Sequence, residues 1–247
     1  MHWQQATIIG NKQWNERLCS LQFRAQLPAY EAGQFISVAL PDSDGKPLAR
    51  PYSLVNSPAD EDYEFYFNRV DGGPLSPRLQ QLKVGDNLLV ATRAAGFLVL
   101  SQVLDAEQLW LLATGTGIGP FLAMLQTPDP WMRFNKVIVV HGIRNRSEMA
   151  YIDTLSAIKR EHPEQFQFHH SITRQITDHT LHQRIPCAIA DGSLEDRCNT
   201  HFSAEKSQVM ICGNPAMVAD SSATLEAKGL IKNRRRQPGQ ITIEVYK

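Results

Sequence analysis

Short apolar runs, alternating with polar residues, occupy roughly the first hundred positions: "ATIIG", "LCSLQF", "QFISVAL", "YSLV", "YEFYFNRV", "NLLVAT" and "FLVL". Turn-forming residues separate them at Pro28, Gly33, "PDSDG", "NSPADED" and "VGDN". A period of two places one face of each run in a core and the other toward water. Many such short runs predict an antiparallel barrel or sandwich. One interruption, "DGGPLSPRLQQL" (71–82), reads as a short helix opened by Ser76 as N-cap and Pro77 in the first turn.

From about residue 108 the pattern changes. "LWLLAT" (109–114), "KVIVVHG" (136–142) and "QVMICG" (208–213) are continuous apolar runs, as expected of parallel strands covered on both faces. Helical patterns lie between them: "PFLAML", "SEMAYIDTLSAIKREH" (147–162) and "PAMVADSSATLEAK" (215–228). Strands alternating with helices predict βαβ units. The expected architecture is a two-domain β + α/β chain, with a boundary in the polar stretch "SQVLDAEQ" (101–108). The expected bounds are residues 1–100 for the antiparallel β domain and 101–247 for the Rossmann-like parallel-sheet domain.

Composition narrows the function. Lys+Arg and Asp+Glu balance at 25 each, so no global field favours nucleic acid or an anionic membrane. No apolar run approaches the roughly 18–20 residues that span a bilayer, and the first residues lack the pattern of a secretory signal. Cys19, Cys187, Cys198 and Cys212 include no C-x-x-C pair, which argues against zinc, an iron–sulfur cluster or a disulfide framework. The expectation is a cytoplasmic monomer with reduced thiols, no metal, no membrane and no nucleic-acid partner.

"ATGTGIGPFLAML" (113–125) follows a strand and opens a helix. Its glycines, 115, 117 and 119, let the backbone bend and a ligand approach, and a helix start offers N–H groups to phosphate. Its spacing is not that of the G-x-G-x-x-G fingerprint, and a tight strand-to-helix turn with no ligand has the same appearance. The next strand ends in "HGIRNRSE", without the acidic residue that binds an NAD ribose. Arg144 stands there instead, with Arg174 in "SITRQ" and Arg184 in "HQRIP" expected at matching strand ends. Guanidiniums there suit a 2′-phosphate, hence NADP(H); solvated surface arginines are the alternative. Arg146 either supports the same phosphate or faces solvent. In "MICGNPAMV", Cys212, Gly213 and Asn214 bring a thiol and an open backbone to the ligand edge, or form an ordinary turn after a buried cysteine. No base accompanies Cys212, so it is not read as a nucleophile.

A nicotinamide site needs a hydride acceptor. "RPYS" (50–53) supplies a cation, a flat ring and a hydroxyl: Arg50 for a pyrophosphate, Tyr52 for a tricyclic ring, Ser53 for its polar edge. With the Gly72-Gly73 turn and the helix after it, these residues describe a flavin dinucleotide site on the barrel.

R-x-Y-S at 50–53, G-x-L-S-P-R at 73–78, G-x-x-x-G-P at 115–120 and C-G-N-P at 212–215 occur in this order. Together they resemble the bacterial ferredoxin/flavodoxin–NADP⁺ reductases over essentially the whole chain. The resemblance implies that the first domain is a Greek-key barrel, that the second binds a nucleotide, and that the flavin is non-covalent FAD. It also implies that Arg50, Pro51, Tyr52 and Ser53 bind the flavin, with Tyr66, Phe67 and Asn68 lining the same groove. Gly73, Leu75 and Ser76 would meet the FAD pyrophosphate and Thr116 would touch FAD from the second domain. Thr114, Gly115, Gly117, Cys212, Gly213 and Asn214 would hold NADP, with Arg144, Arg174 and Arg184 on its 2′-phosphate. Tyr246 would stack on the flavin face opposite Tyr52 and move aside for nicotinamide, which places Tyr52, Ser53, Cys212 and Tyr246 nearest the reaction. The chain ends in Lys247 where some relatives end in tryptophan.

The implied activity is hydride exchange with NADPH and single-electron exchange with ferredoxin or flavodoxin. In "KNRRRQPG" (232–239), Lys232, Arg234, Arg235 and Arg236 form either a transient electrostatic docking patch for that acidic carrier or a solvated loop face. Two other functions remain open: reduction of a small acceptor such as free flavin or a ferric chelate, and a non-catalytic electron-transfer subunit. His169 and His170 are neighbours in a strand, point to opposite faces and cannot share a metal. His141 reads as structural, and Trp3, Trp14, Trp110 and Trp131 as packing residues.

Overall fold

In the computed structural model, which describes residues 2–178 and 180–245, the chain divides into two units. One comprises Met1–Gly96 with Gly119–Thr127, the other Phe97–Ile118 with Pro128–Lys247. No helix among the described residues is long and apolar enough to cross a membrane.

The first unit is built on six antiparallel strands: β1 (Trp3–Gln13), β2 (Leu18–Arg24), β3 (Phe35–Pro41), β4 (Pro47–Ser53), β5 (Tyr63–Asn68) and β6 (Asn87–Ala91). Their order is β4-β3-β6-β1-β2-β5, so the late strand β6 is inserted between β3 and β1 in Greek-key fashion. Alternation does what the sequence predicts. Leu21 and Phe23 of β2, Ile36 and Val38 of β3, and Phe65 and Phe67 of β5 all turn into one core. A bulge between Ile8 and Gly10 bends β1, and a Cβ at Gly10 would lie 2.6 Å from the Gln22 Oε1. Just past β4, Leu54 bridges Phe65 of β5 and the Val55 N–H donates to the Glu64 carbonyl at 2.9 Å, which closes the barrel.

Helix α1 (Ser76–Gln80) forms, but Ser76 is not its N-cap. Leu75 holds that position without a side-chain cap, because the Ser76 hydroxyl accepts the Val70 N–H at 2.9 Å instead. The expected strand "FLVL" also does not form: Leu98, Val99 and Leu100 are buried in irregular chain that ends in a single 3₁₀ turn, Leu100–Gln102. The Arg133 guanidinium takes the Leu100 and Val103 carbonyls, at 2.8 and 2.6 Å, that a β ladder would otherwise pair. Helix α2 (Gly119–Leu125) belongs to the first unit.

The second unit is a parallel sheet of β7 (Gln108–Thr114), β8 (Lys136–Ile143), β9 (Phe166–Ile172), β10 (Ser207–Gly213) and β11 (Ile241–Val245), in the order β11-β10-β7-β8-β9. Helices α3 (Asp129–Arg133), α4 (Ile152–Glu161), α5 (Ile185–Ala190), α6 (Ser193–Cys198) and α7 (Pro215–Ala227) connect the strands. One sheet face packs Trp110, Leu112, Ile138, Val140 and Ile211 against Ile185, Leu194, Val218 and Leu225. Buried Glu195 ties α6 to α7 by accepting from the Phe202 N–H at 2.9 Å and from Lys228 at 2.5 Å. The helix expected from 147 starts only at Ile152, because Tyr151 adopts φ +59 and the chain before it makes a 3₁₀ turn, Arg146–Glu148. Helices α3, α5 and α6 have five or six residues each, too short to show helical periodicity in the sequence.

Phe65 is fully buried and in ring contact with Phe23, Tyr52 and Phe67. Phe65→Ala is expected to lower the unfolding free energy of the barrel by about 3–5 kcal/mol in urea titration. A loss below about 1 kcal/mol would mean that the barrel core is not centred there.

Candidate functional site

Past the Leu54–Phe65 bridge the barrel ladder stops. A seam follows, with Arg50–Ser53 on the β4 side and Tyr66–Asn68 on the β5 side. Arg50 and Pro51 are exposed, while Ser53 is buried. The Arg50 guanidinium donates to the adjacent Ala49 carbonyl at 2.7 Å. The Tyr52 ring lies 4.9 Å from Phe65 and 5.9 Å from Phe67, centroid to centroid. Burial pushes the Tyr52 phenol up to about 12 against the opposing pull of Arg50, so it stays a neutral hydroxyl.

On the other side of the seam the side chains divide. Phe67 fills the core beneath Tyr52, and Tyr66 lies on the opposite face against Trp14, 6.4 Å between centroids. Phe67, expected to line the groove, turns its ring into the core. Leu75, 2% exposed, is likewise a core side chain, and the Ser76 hydroxyl is already engaged by Val70. Gly72, at φ +70, turns the chain above them, with open space where a Cβ would stand.

Sequence reading missed the support behind Ser53. A Cβ on Gly119 would lie 3.5 Å from the Val55 Cγ2, so α2 packs directly on the residues after "RPYS". Gln126, at the end of the helix, donates to the Val55 carbonyl at 3.0 Å. The partners are 71 positions apart and share no local signal.

In the second unit the strand order reverses between β7 and β10, and α/β sheets bind ligands at the carboxyl ends of strands flanking such a reversal. The two candidate turns meet there. A Cβ on Gly117 would lie 2.5 Å from the Cys212 carbonyl oxygen, and one on Gly213, at φ +133, would overlap the Thr114 hydroxyl. That hydroxyl accepts the Asn214 N–H at 2.9 Å. The Asn214 side chain caps α7 by accepting from the Ala216 and Met217 N–H groups. Gly115 stands at φ +53 with open space on its Cβ side, and Thr114, Gly115 and Thr116 are half-buried at the surface of the turn. Cys212 is fully buried at the end of β10, and its carbonyl faces the Gly117 turn.

The arginines follow the same edge. Arg144 comes directly after β8 and Arg174 just after β9, joined where the Arg174 N–H donates to the Arg144 carbonyl at 2.9 Å. Arg184 departs from expectation. It is the N-cap residue of α5 and not the end of a strand, because the chain leaves β9 through a single Ser171–Leu181 bridge and enters α5 with Pro186 in its first turn. All three are exposed, and none of their side chains pairs with a described carboxylate. Arg146 is exposed, and its N–H donates to Gln175 at 3.1 Å. In the basic run, Lys232 pairs with Glu226 at 3.1 Å, while Arg235 and Arg236 form the exposed tip of a turn closed by reciprocal 2.9 Å bonds between Arg234 and Gln237. Tyr246 and Lys247 lie outside the described residues.

Beneath the glycine turn runs a row in register across the sheet: Cys212, Ala113, His141 and His170. His141 is fully buried and its Nε2 is 2.9 Å from the Gly115 carbonyl. Burial, with His170 adding to it, depresses His141 to about 3. His169 and His170 fall to about 4, chiefly through burial.

Comparison with known proteins agrees with both halves. Residues 12–94 match the oxidoreductase FAD-binding domain family and residues 111–223 the oxidoreductase NAD-binding domain family. The chain is 38% identical to a flavodoxin/ferredoxin–NADP reductase of Shigella flexneri over 245 residues, covering 99% of this chain and 98% of the relative. It is 36% identical to a ferredoxin–NADP reductase of Pseudomonas aeruginosa, covering 96% and 95%. A crystal structure of a ferredoxin NADP⁺ reductase from Neisseria gonorrhoeae, with bound FAD and NADP, superposes with a TM-score of 0.93 at 30% identity and 98% coverage of both chains.

The three depressed histidines make stability depend on pH. Unfolded, each binds a proton near 6.5; folded, only near 3 or 4. The unfolded chain therefore holds more protons between those values, and stability present above pH 6.5 is lost as the pH falls. Each histidine contributes a slope of up to about 1.4 kcal/mol per pH unit. Thermal unfolding should shift steadily downward from pH 7 to pH 5, and a midpoint constant across that range would contradict the neutral, buried assignment.

Proposed function

Since the chain belongs to the flavodoxin/ferredoxin–NADP reductase family, we propose that it holds FAD along the barrel seam and exchanges electrons between NADPH and a one-electron carrier, ferredoxin or flavodoxin. The observation that carries this proposal is the set of exposed guanidiniums, Arg144, Arg174 and Arg184, with no carboxylate partner among the described residues, beside the glycine turn at the strand-order reversal. A dianionic 2′-phosphate suits such a cluster, and an unphosphorylated ribose does not need it.

The residues present fit both cofactors. The seam gives FAD a strip of barrel edge with no competing strand, an exposed Arg50 for the pyrophosphate, and the Tyr52 ring braced from below by Phe65 and Phe67. Gly73, Leu75 and Ser76 meet the pyrophosphate through the backbone, since the Leu75 side chain and the Ser76 hydroxyl are otherwise engaged. Bound FAD supplies a site that accepts hydride as a pair of electrons and returns them one at a time. The protein contributes position: Tyr52 stays neutral and flat, Ser53 is fixed from behind by α2, and Gly115, Gly117 and Gly213 leave room for the dinucleotide backbone.

The carrier docks at Arg234, Arg235 and Arg236, transiently and by electrostatic attraction, with Lys232 contributing less because it is paired with Glu226. The chain acts as a monomer in the cytoplasm, where its four free cysteines stay reduced.

The purified protein should show a flavin absorption spectrum that bleaches anaerobically at far lower NADPH than NADH concentration; a colourless chain that FAD cannot reconstitute would remove the basis of the function. Arg144→Ala should cut the NADPH/NADH ratio of kcat/KM by about 10-fold or more with FAD content intact, the worth of a lost charged hydrogen bond. An unchanged ratio would take Arg144 out of the site. Reversing Arg235 and Arg236 to Glu should raise KM for an acidic carrier and flatten its salt dependence while reduction of a neutral quinone stays constant. Equal effects on both acceptors would instead favour a small-molecule acceptor.

A further inference from the structure

We propose that His141 is a positioning residue for the nucleotide site: it pins the Gly115 carbonyl and thereby aims the Thr116 N–H outward from the glycine turn. The proposal rests on the NADP(H) assignment above and adds a residue to it. A carbonyl can only accept, so the 2.9 Å contact requires a proton on the His141 Nε2. In a trans peptide the C=O and the following N–H point in opposite directions. With the Gly115 oxygen held down toward the buried imidazole, the Thr116 N–H is turned toward the surface of the turn.

Gly115 needs such a pin. At φ +53, with open space where a side chain would stand, a glycine has little of its own to stop the peptide from turning over. The sheet beneath is shaped for the contact. The cross-strand neighbour of His141 on β7 is Ala113, small enough for the ring to pass over toward Gly115. On the other side, the His170 ring, 5.6 Å away, limits where the imidazole can swing.

Packing alone does not explain a histidine there. The position is fully buried, and the His141 Nδ1 has no hydrogen-bond partner among the described residues. Leu or Phe would fill the space without burying a bare nitrogen, so the bond made by Nε2 is the gain that offsets it.

The test compares two ligands on the FAD-loaded full chain by calorimetry. NADP⁺ spans the glycine turn; adenosine 2′,5′-bisphosphate carries the 2′-phosphate half without the nicotinamide. His141→Leu should weaken NADP⁺ by about 10-fold, the effect of misplacing one charged-ligand hydrogen bond, and leave the bisphosphate unchanged. His141→Gln, which keeps a donor at the Nε2 position, should restore NADP⁺ binding. His141→Asn, whose amide reaches only the Nδ1 position, should behave like Leu and replaces it should Leu not fold. The proposal is overturned by unchanged NADP⁺ affinity in the Leu or Asn variant, by equal weakening of both ligands, or by failure of Gln to restore. If the unaltered protein bound neither ligand, the NADP(H) assignment itself would fall, an outcome distinct from failure of the variants alone.

Discussion

At Gly117 the backbone comes so near the end of β10 that a single methyl group would stand 2.5 Å from the Cys212 carbonyl oxygen. The crossing is reciprocal, since Gly213 allows no side chain against Thr114. Two loops from strands adjacent in the sheet but about a hundred residues apart in sequence are thus locked at the place where the strand order reverses. The Thr114 hydroxyl fastens Asn214, and Asn214 in turn opens α7. Removing either glycine would separate strand ends whose spacing decides whether a dinucleotide can cross them.

The barrel follows the opposite strategy. It is closed by a minimal contact, one bridge and one further backbone bond, and left open along the rest of β4 and β5. An open sheet edge invites pairing with other chains. On the reading proposed above a bound flavin would cover it, with Tyr52 backed by the core rings of Phe65 and Phe67.

Features governed by local patterning were legible in the sequence. The long apolar runs became β7, β8 and β10, and the alternating runs became barrel strands. Local rules failed where a distant group took the partner they assume. Ser76 has the composition of a cap, but its hydroxyl is claimed by Val70; "FLVL" has the pattern of a strand, but Arg133 holds the Leu100 carbonyl and local turn bonds take those of Phe97 and Val99. Arg184 resembles Arg144 and Arg174 in sequence, yet the path from β9 to α5 puts it on a helix start. His141 carries no signature, because its significance is a bond to a residue on another strand's loop, 26 positions away. Contacts of this kind depend on register between strands, which composition and periodicity do not encode.

Charge is neutral overall and uneven locally, and the unevenness separates two tasks. Fields at physiological salt are screened over about 8 Å, so each cationic group acts on what it nearly touches. The Arg144 and Arg174 backbones are joined at adjoining strand ends, which sets the two side chains side by side as the proposed phosphate site would need. Arg235 and Arg236 stand at the exposed tip of a tight turn. The docking role proposed for them would ask for charge and proximity but little precision, because electrostatic steering needs no fixed contact geometry. The base of the same loop is rigid: Asn233 donates to the Gln102 carbonyl and the Thr242 hydroxyl, and a Cβ on Gly239 would lie 2.6 Å from the Ile231 oxygen. A firm base under an exposed tip keeps the charges at one place on the surface, as the proposed docking role would require.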